Sequence, residues 1–260
     1  MNSTTCKSTF LRTLARVLAL SVLFLSTGAQ ASSIFYGDFG PVPPGFTFTG
    51  VTESSGTDGV PLYGPPTPFA NGLDFDPANF VSAAAGGSVD LTDGQLNFSV
   101  VANPGLGIGS ISLFEGGDYT LSGLGTAATQ ASVGAIMRVS VSQINGVDVA
   151  PIVLPSSSVS VAFDLVANPG VIQPWSLAIF GYDIAGQLAP GQVATKVDVV
   201  INNQLLTVSE AASLALIAKK DFVIQIVPVP EPAAWLLAAP ALAAVFAVGR
   251  RVKRGRTAQR

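Results

Sequence analysis

Apolar and polar residues alternate along much of this chain, the two-residue period of strands that bury one face. Gln95–Val101 puts Leu96, Phe98 and Val100 on one side, and Ser158–Val166 does the same with Val159, Val161, Phe163 and Leu165. Val193–Ile201 alternates through Val193, Val197 and Val199 and then meets Asn202-Asn203. Asparagine tolerates positive φ, so Lys196–Ile201 and Gln204–Ser209 read as a hairpin. Ser110–Phe114, Val133–Gln143, Trp175–Tyr182 and Asp221–Val227 add further strands. Ser209–Lys220 fits two patterns: a helix capped by Ser209 with Leu214 and Ile217 inward, or a strand in which Leu214 and Leu216 alternate. Its strand neighbours favour the second. The strands fill residues 45–227 and are separated by Gly, Pro, Asn and Asp, with no clear helix between them. This series predicts an all-β domain, an antiparallel β-sandwich of jelly-roll-like form.

The two ends follow a different pattern. Lys7, Arg12 and Arg16 precede the apolar run Val17–Leu25 and then Ala29-Gln30-Ala31. A basic stretch, a short apolar core and small residues at Ala29 and Ala31 form a secretory signal, with cleavage before Ser32. At the other end Val229-Pro230-Glu231-Pro232 is stiff and extended, because each proline fixes its own φ and restricts its predecessor. Residues 233–248 carry no charge, and Gly249 leads into Arg250, Arg251, Lys253, Arg254, Arg256 and Arg260. As a helix that span reaches roughly 24 Å, short of the about 30 Å hydrocarbon core. Trp235 and snorkelling arginines make up the difference, and the basic cluster stays cytoplasmic. The chain therefore divides into a signal peptide (1–31), a β-sandwich domain (32–227) and a tail (228–260) with a single transmembrane helix at 233–249.

The tripartite end resembles the PEP-CTERM sorting signal of Gram-negative bacteria: the Val229-Pro230-Glu231-Pro232 motif, the apolar span and the basic terminus. The resemblance implies processing by an exosortase near the Pro-Glu-Pro, after signal peptidase has acted, and an association with exopolysaccharide and biofilm export. Glu231 then belongs to a recognition motif. Tyr36-Gly37-Asp38-Phe39, residues 51–59, Pro61-Leu62-Tyr63-Gly64, residues 73–77 and residues 117–121 are similar to the body of a recurrent group of PEP-CTERM proteins. That group has no assigned activity to carry over. The resemblance implies a membrane-anchored precursor that ends at the cell surface or in the extracellular matrix.

Composition narrows the chemistry. Charged residues are 11% and apolar residues 48% of 260, too apolar for a charge-rich disordered chain and long enough to bury a core. Between the ends, residues 32–230 hold fifteen Asp/Glu against four Lys/Arg, a net charge of −11, which repels nucleic acid. There is no histidine, and the one cysteine is Cys6 inside the signal. Ser-His-Asp triads, thiolate chemistry, histidine zinc sites and disulfides in the mature chain are therefore excluded. No phosphate-binding Gly-x-x-x-x-Gly-Lys-Ser/Thr loop occurs.

Oxygen ligands leave calcium as the one candidate ion, at Asp74/Asp76 and Asp90/Asp93, with Asp58 and Asp118 in turns. Asp in turns also satisfies local backbone N–H groups without any metal. Phe46, Phe48, Tyr63, Phe69, Trp175 and Tyr182 would stack on sugars if exposed and pack the core if not. Val101–Gly105 recurs as Val166–Gly170, which reads either as a pseudo-repeat of two half-domains or, the favoured reading, as good Asn-Pro-Gly turn chemistry used twice. The reading is a non-catalytic structural or polysaccharide-associated module. A carboxylate-dependent glycoside hydrolase and a self-assembling adhesin are the alternatives.

Overall fold

The computed structural model describes residues 32–230. The signal sequence, Glu231, Pro232, the apolar span and the basic end lie outside the described residues. In chain order the strands are β1 (Ser32–Val42), β2 (Phe46–Ser55), β3 (Thr67–Phe69), β4 (Gly72–Phe75), β5 (Val81–Ala85), β6 (Val89–Ala102) and β7 (Leu106–Leu124). They continue with β8 (Gln130–Ile144), β9 (Val147–Val153), β10 (Ser157–Asp164), β11 (Gly170–Asp183), β12 (Ala194–Val208) and β13 (Ala212–Pro230). A 3-10 turn at Ala185–Gln187 is the one helical piece among the described residues.

The strands form two antiparallel sheets, a β-sandwich. The first runs β1-β2-β6-β12-β8-β10, with β9 also paired to β8; the second runs β11-β7-β13-β4-β3, with β5 also paired to β13. Number β4, β6, β7, β8, β10, β11, β12 and β13 from first to eighth. The second sheet then reads first-eighth-third-sixth and the first sheet second-seventh-fourth-fifth. The chain thus winds between two sheets as interleaved Greek keys, the connectivity of a jelly-roll.

Alternation selects the core as the sequence indicates. Leu96, Phe98 and Val100 on β6 and Val197, Val199 and Ile201 on β12 are buried, facing Leu113 and Tyr119 of β7 and Ile217, Phe222 and Ile224 of β13. Each such side chain contributes about 1.5–3 kcal/mol on burial. Val159, Val161 and Phe163 of β10 pack at the margin of the core, and Phe163 stacks on Tyr119 at 4.0 Å between ring centroids. The two Asn-Pro-Gly segments do the same job: one leads from β6 to β7, the other from β10 to β11, each crossing between sheets.

Two expectations change. Asn202-Asn203 is no turn: β12 runs straight through it for 15 residues, pairing with β6 and β8 along its length. Asn203 points inward and finds hydrogen-bond partners there, which removes the reason to turn. The Asn hairpin lies instead at Asn145-Gly146, with φ of 49° and 77°, closing the Ile144–Val147 pair between β8 and β9. Ser209–Lys220 is largely strand, as favoured, but its buried face is Ser213, Ala215, Ile217 and Lys219, while Leu214 is 38% exposed. The sheet also takes in β1, which precedes the first strand expected from alternation, and β13 carries Val229 and Pro230 opposite Gly107 and Leu106.

Candidate functional site

Two places concentrate chemistry, one inside the sandwich and one on its outer surface. Inside, Glu115 of β7 and Lys219 of β13 lie on the inward face of neighbouring strands, both with wholly buried side chains, and Lys219 Nζ donates to Glu115 Oε2 at 2.5 Å. From the opposite sheet, Asn203 Nδ2 of β12 donates to Glu115 Oε1 at 2.6 Å. Tyr63 Oη contacts Asn203 Oδ1 at 2.7 Å and the Gly94 carbonyl at 3.1 Å. Aromatic rings close the cell: Lys219 Nζ sits 5.0 Å from the ring centroids of both Phe80 and Phe222 and 5.8 Å from that of Tyr63. Burial pushes the Lys219 amine below the ordinary lysine range, with Glu115 opposing it. Burial, then the charges of Glu115, Glu53 and Asp93, hold the Tyr63 hydroxyl protonated.

Alternation through Ser213, Ala215 and Ile217 places Lys219 inward; the bulge that shifts register between Lys219 and Asp221 resets the phase, so that Phe222 and Ile224 face in again and Lys220 is left out, where it pairs with Asp118. A second buried acid, Glu53, accepts from Tyr36 Oη at 2.5 Å and from the backbone N–H groups of Leu62 and Gly64. It fastens the loop that carries Tyr63. Burial, then the hydrogen bond and charge of Glu53, push the Tyr36 hydroxyl up.

On the outer face of the β11-β7-β13 sheet, Ser176, Gly116 and Asp221 lie in one cross-strand row, and Ala178, Phe114, Val223 and Asp74 in the next. With no side chain on Gly116, a shallow groove of about 490 Å³ opens between Phe114, Ser176 and Asp221. Phe180, 82% exposed, stands against Phe114 edge to face at 6.0 Å. One aromatic ring, a hydroxyl and a carboxylate thus line one open groove, and Phe180 stands beside it against Phe114.

The aromatics singled out in the sequence are mostly core: Phe46, Phe48, Tyr63 and Trp175 are buried, and Phe69 and Tyr182 half-buried. Phe114 and Phe180 carry no such signal in the sequence, because strand alternation alone does not say which face is covered. The aspartates are divided. Asp74 and Asp76 belong to the edge beside β13, whereas Asp90 and Asp93 lie on β6 in the other sheet. Asp90 Oδ2 accepts from the Ala83 N–H at 2.8 Å. Asp93 Oδ1 accepts from Ser55 Oγ, Gly56 N, Thr57 N and Thr57 Oγ1 at 2.8–3.0 Å. Burial raises the Asp93 carboxyl, but the bonds from Thr57, Gly56 and Ser55 outweigh it and hold the carboxyl below its usual range. Burial, then Asp76 and Asp221, raise that of Asp74. Among the described residues no three acidic side chains converge as metal ligands would. The signal-cleavage residues Ala29 and Ala31, Glu231, Pro232 and the basic cluster lie outside the described residues. Ser32 opens β1, and its Oγ donates to the Asp58 carbonyl at 3.0 Å.

No family model matches the chain, and no curated protein matches it. Among solved structures, a family 61 carbohydrate-binding module in complex with β-1,4-galactotriose is 10% identical over 60% of this chain and 70% of its own, with a TM-score of 0.26. A point variant of a family 29 carbohydrate-binding module is 12% identical over 75% and 91%, at 0.20. A family 29 module from Piromyces equi is 9% identical over 75% and 91%, at 0.16.

Proposed function

We propose that this chain is an exported cell-surface or matrix protein whose β-sandwich is a non-catalytic, polysaccharide-associated module. The outer groove carries the polysaccharide part of the reading. A sugar ring offers apolar C–H faces and hydrogen-bonding hydroxyls, which call for a ring to stack on and acceptors beside it. Phe114 supplies the ring in the groove and Phe180 a second, exposed ring beside it, Asp221 and Ser176 the polar groups, and Gly116 the room. The two acids deepest in the sandwich, Glu53 and Glu115, are hydrogen-bonded internally and offer nothing to a glycosidic bond.

Export and sorting rest on the sequence. The basic, apolar and small-residue order of residues 1–31 supports removal by signal peptidase before Ser32. Val229-Pro230-Glu231-Pro232, the span at 233–249 and the cluster at Arg250, Arg251, Lys253, Arg254 and Arg256 support a membrane-held precursor that an exosortase processes.

Binding is tested by retention of the secreted protein on exopolysaccharide from its own host. Phe180→Ala is expected to lower retention severalfold, in line with the about 0.5–1.5 kcal/mol of an aromatic contact, without changing the melting temperature. Gly116→Leu, which fills the groove, is expected to do the same. Undiminished retention in both variants contradicts the groove assignment.

A further inference from the structure

Lys219 is an anomaly for a plain ion pair. An ammonium has three N–H groups to place, yet in its fully buried cell it has one acceptor, Glu115 Oε2, and otherwise faces the rings of Phe80, Phe222 and Tyr63. Taking two charges out of water is costly, and one short contact compensates poorly. The ring faces attract an ammonium and return part of that cost, yet they accept no conventional hydrogen bond, and burial still draws the pair toward a neutral amine beside a carboxylic acid. The low-lying protonation of the buried lysine agrees.

The tyrosine supplies an independent argument. Tyr63 has one hydroxyl proton but stands within bonding distance of two acceptors, the Gly94 carbonyl and Asn203 Oδ1. Which end of an asparagine amide is oxygen follows from its hydrogen-bond partners. Turning the Asn203 amide by half a turn resolves the conflict: Tyr63 donates to Gly94 and accepts from Asn203 Nδ2. Asn203 Oδ1 then faces Glu115 Oε1, a contact that closes once Lys219 passes its proton to Glu115, at the loss of the long 3.5 Å contact from Asn203 Nδ2 to the Gly134 carbonyl.

We propose that Lys219 and Asn203 join in an intramolecular isopeptide bond, with Glu115 as the catalytic proton carrier. Glu115 takes a proton from Lys219 and, as the acid, donates a hydrogen bond to Asn203 Oδ1, which polarises the amide carbon. The Nζ lone pair attacks Asn203 Cγ and forms the Cγ–Nζ bond. Glu115 relays the proton shed by Nζ to Nδ2, the Cγ–Nδ2 bond breaks, and ammonia leaves. Amine plus primary amide become secondary amide plus ammonia, with nothing oxidised or reduced. The aromatic walls keep out competing water, and the fold holds both reactants on the one Glu115 carboxylate in place of a diffusional encounter. The new bond ties β12 to β13, and so one sheet to the other, in a chain whose residues 32–230 contain no cysteine for a disulfide.

The test is peptide mapping of the full chain, purified and folded. Trypsin cuts after Lys196 and Lys220, and a glutamate-specific protease cuts after Glu210, between the two partners. The expected product is Val197–Glu210 still joined to Ala211–Lys220, lighter than their sum by one ammonia, with Lys219 resistant to trypsin. Asn203→Asp is expected to give a joined peptide of identical mass, since it loses water in place of ammonia. Glu115→Ala is expected to abolish the link. Folded wild-type protein that yields the two peptides separately, with cleavage at Lys219, overturns the proposal. A link that forms equally well in Glu115→Ala overturns the role of Glu115.

Discussion

At the scale of single residues, apolar side chains inside strands were legible and polar ones were not. Leu96, Phe98, Val197 and Val199 declare themselves because a two-residue period places them on one face. Asn203, Glu115 and Lys219 interrupt that period, so a sequence reading assigns them to turns or to the surface. Each is buried because a partner from another strand, 88 or 104 residues away for the Glu115 contacts, completes it. No local signal carries that information.

Asp74 and Asp93, both offered as ion ligands, show how opposite surroundings set opposite pH behaviour. The Asp93 carboxyl is lowered in the folded chain, so its contribution is present above the unfolded carboxylate pKa, about 3.9, and is lost as pH falls through the lower folded value. Asp93→Ala is expected to cost about 1 kcal/mol at neutral pH, kept small by solvent exposure, and to cost nothing in strong acid, as read by urea unfolding at both pH values. The Asp74 carboxyl is raised, so its charge opposes folding above that raised value and the penalty is relieved as pH falls. Asp74→Asn is expected to raise the melting temperature slightly at neutral pH and to leave it unchanged in acid. A neutral or destabilising result at neutral pH would show that its repulsion by Asp76 and Asp221 is screened out.

At the scale of elements, sustained alternation marks β6, β8 and β10 in the sequence, and marks β12 too except where its two asparagines read as a turn. Short edge pieces such as β3, β5 and β9 offer too few residues for a period to register. The hairpin was misplaced for a physical reason: two asparagines permit a turn, but Asn145-Gly146 adds a glycine at positive φ, which fits the strand twist better. Gly146→Ala is expected to cost about 1 kcal/mol through strain at φ 77°, measurable by chemical denaturation. Gly94 in β6 is needed for closeness: a Cβ there would lie 2.6 Å from Phe80 and 3.0 Å from Tyr63. Gly94→Ala is expected to destabilise by about 1–3 kcal/mol, since both rings belong to the closed aromatic cell and have little room to yield. Loss of less than half that amount would mean the cell repacks.

At the scale of the whole molecule, the sequence foretold an antiparallel sandwich because its strands are many, short in period and punctuated by turn residues. It names a jelly-roll-like form as one version of the sandwich, but not which strand pairs with which. Jelly-roll connectivity depends on which edges meet, and alternation is blind to edges. The candidate groove was hidden for the same reason, since Phe114, Ser176 and Asp221 come from three strands and meet only across register. The charge distribution was plain from the outset: an acidic body of net −11 between two basic ends. The export proposed above rests on that arrangement.

The most direct test of the account is where the full-length protein resides in a host with and without its exosortase. The account predicts that with the enzyme the chain loses both ends and is recovered with the exopolysaccharide, and that without it, or with Pro230-Glu231-Pro232 replaced by alanines, a tailed form stays in the inner membrane. Recovery of the intact precursor, both ends present, in the soluble cytoplasm would contradict it.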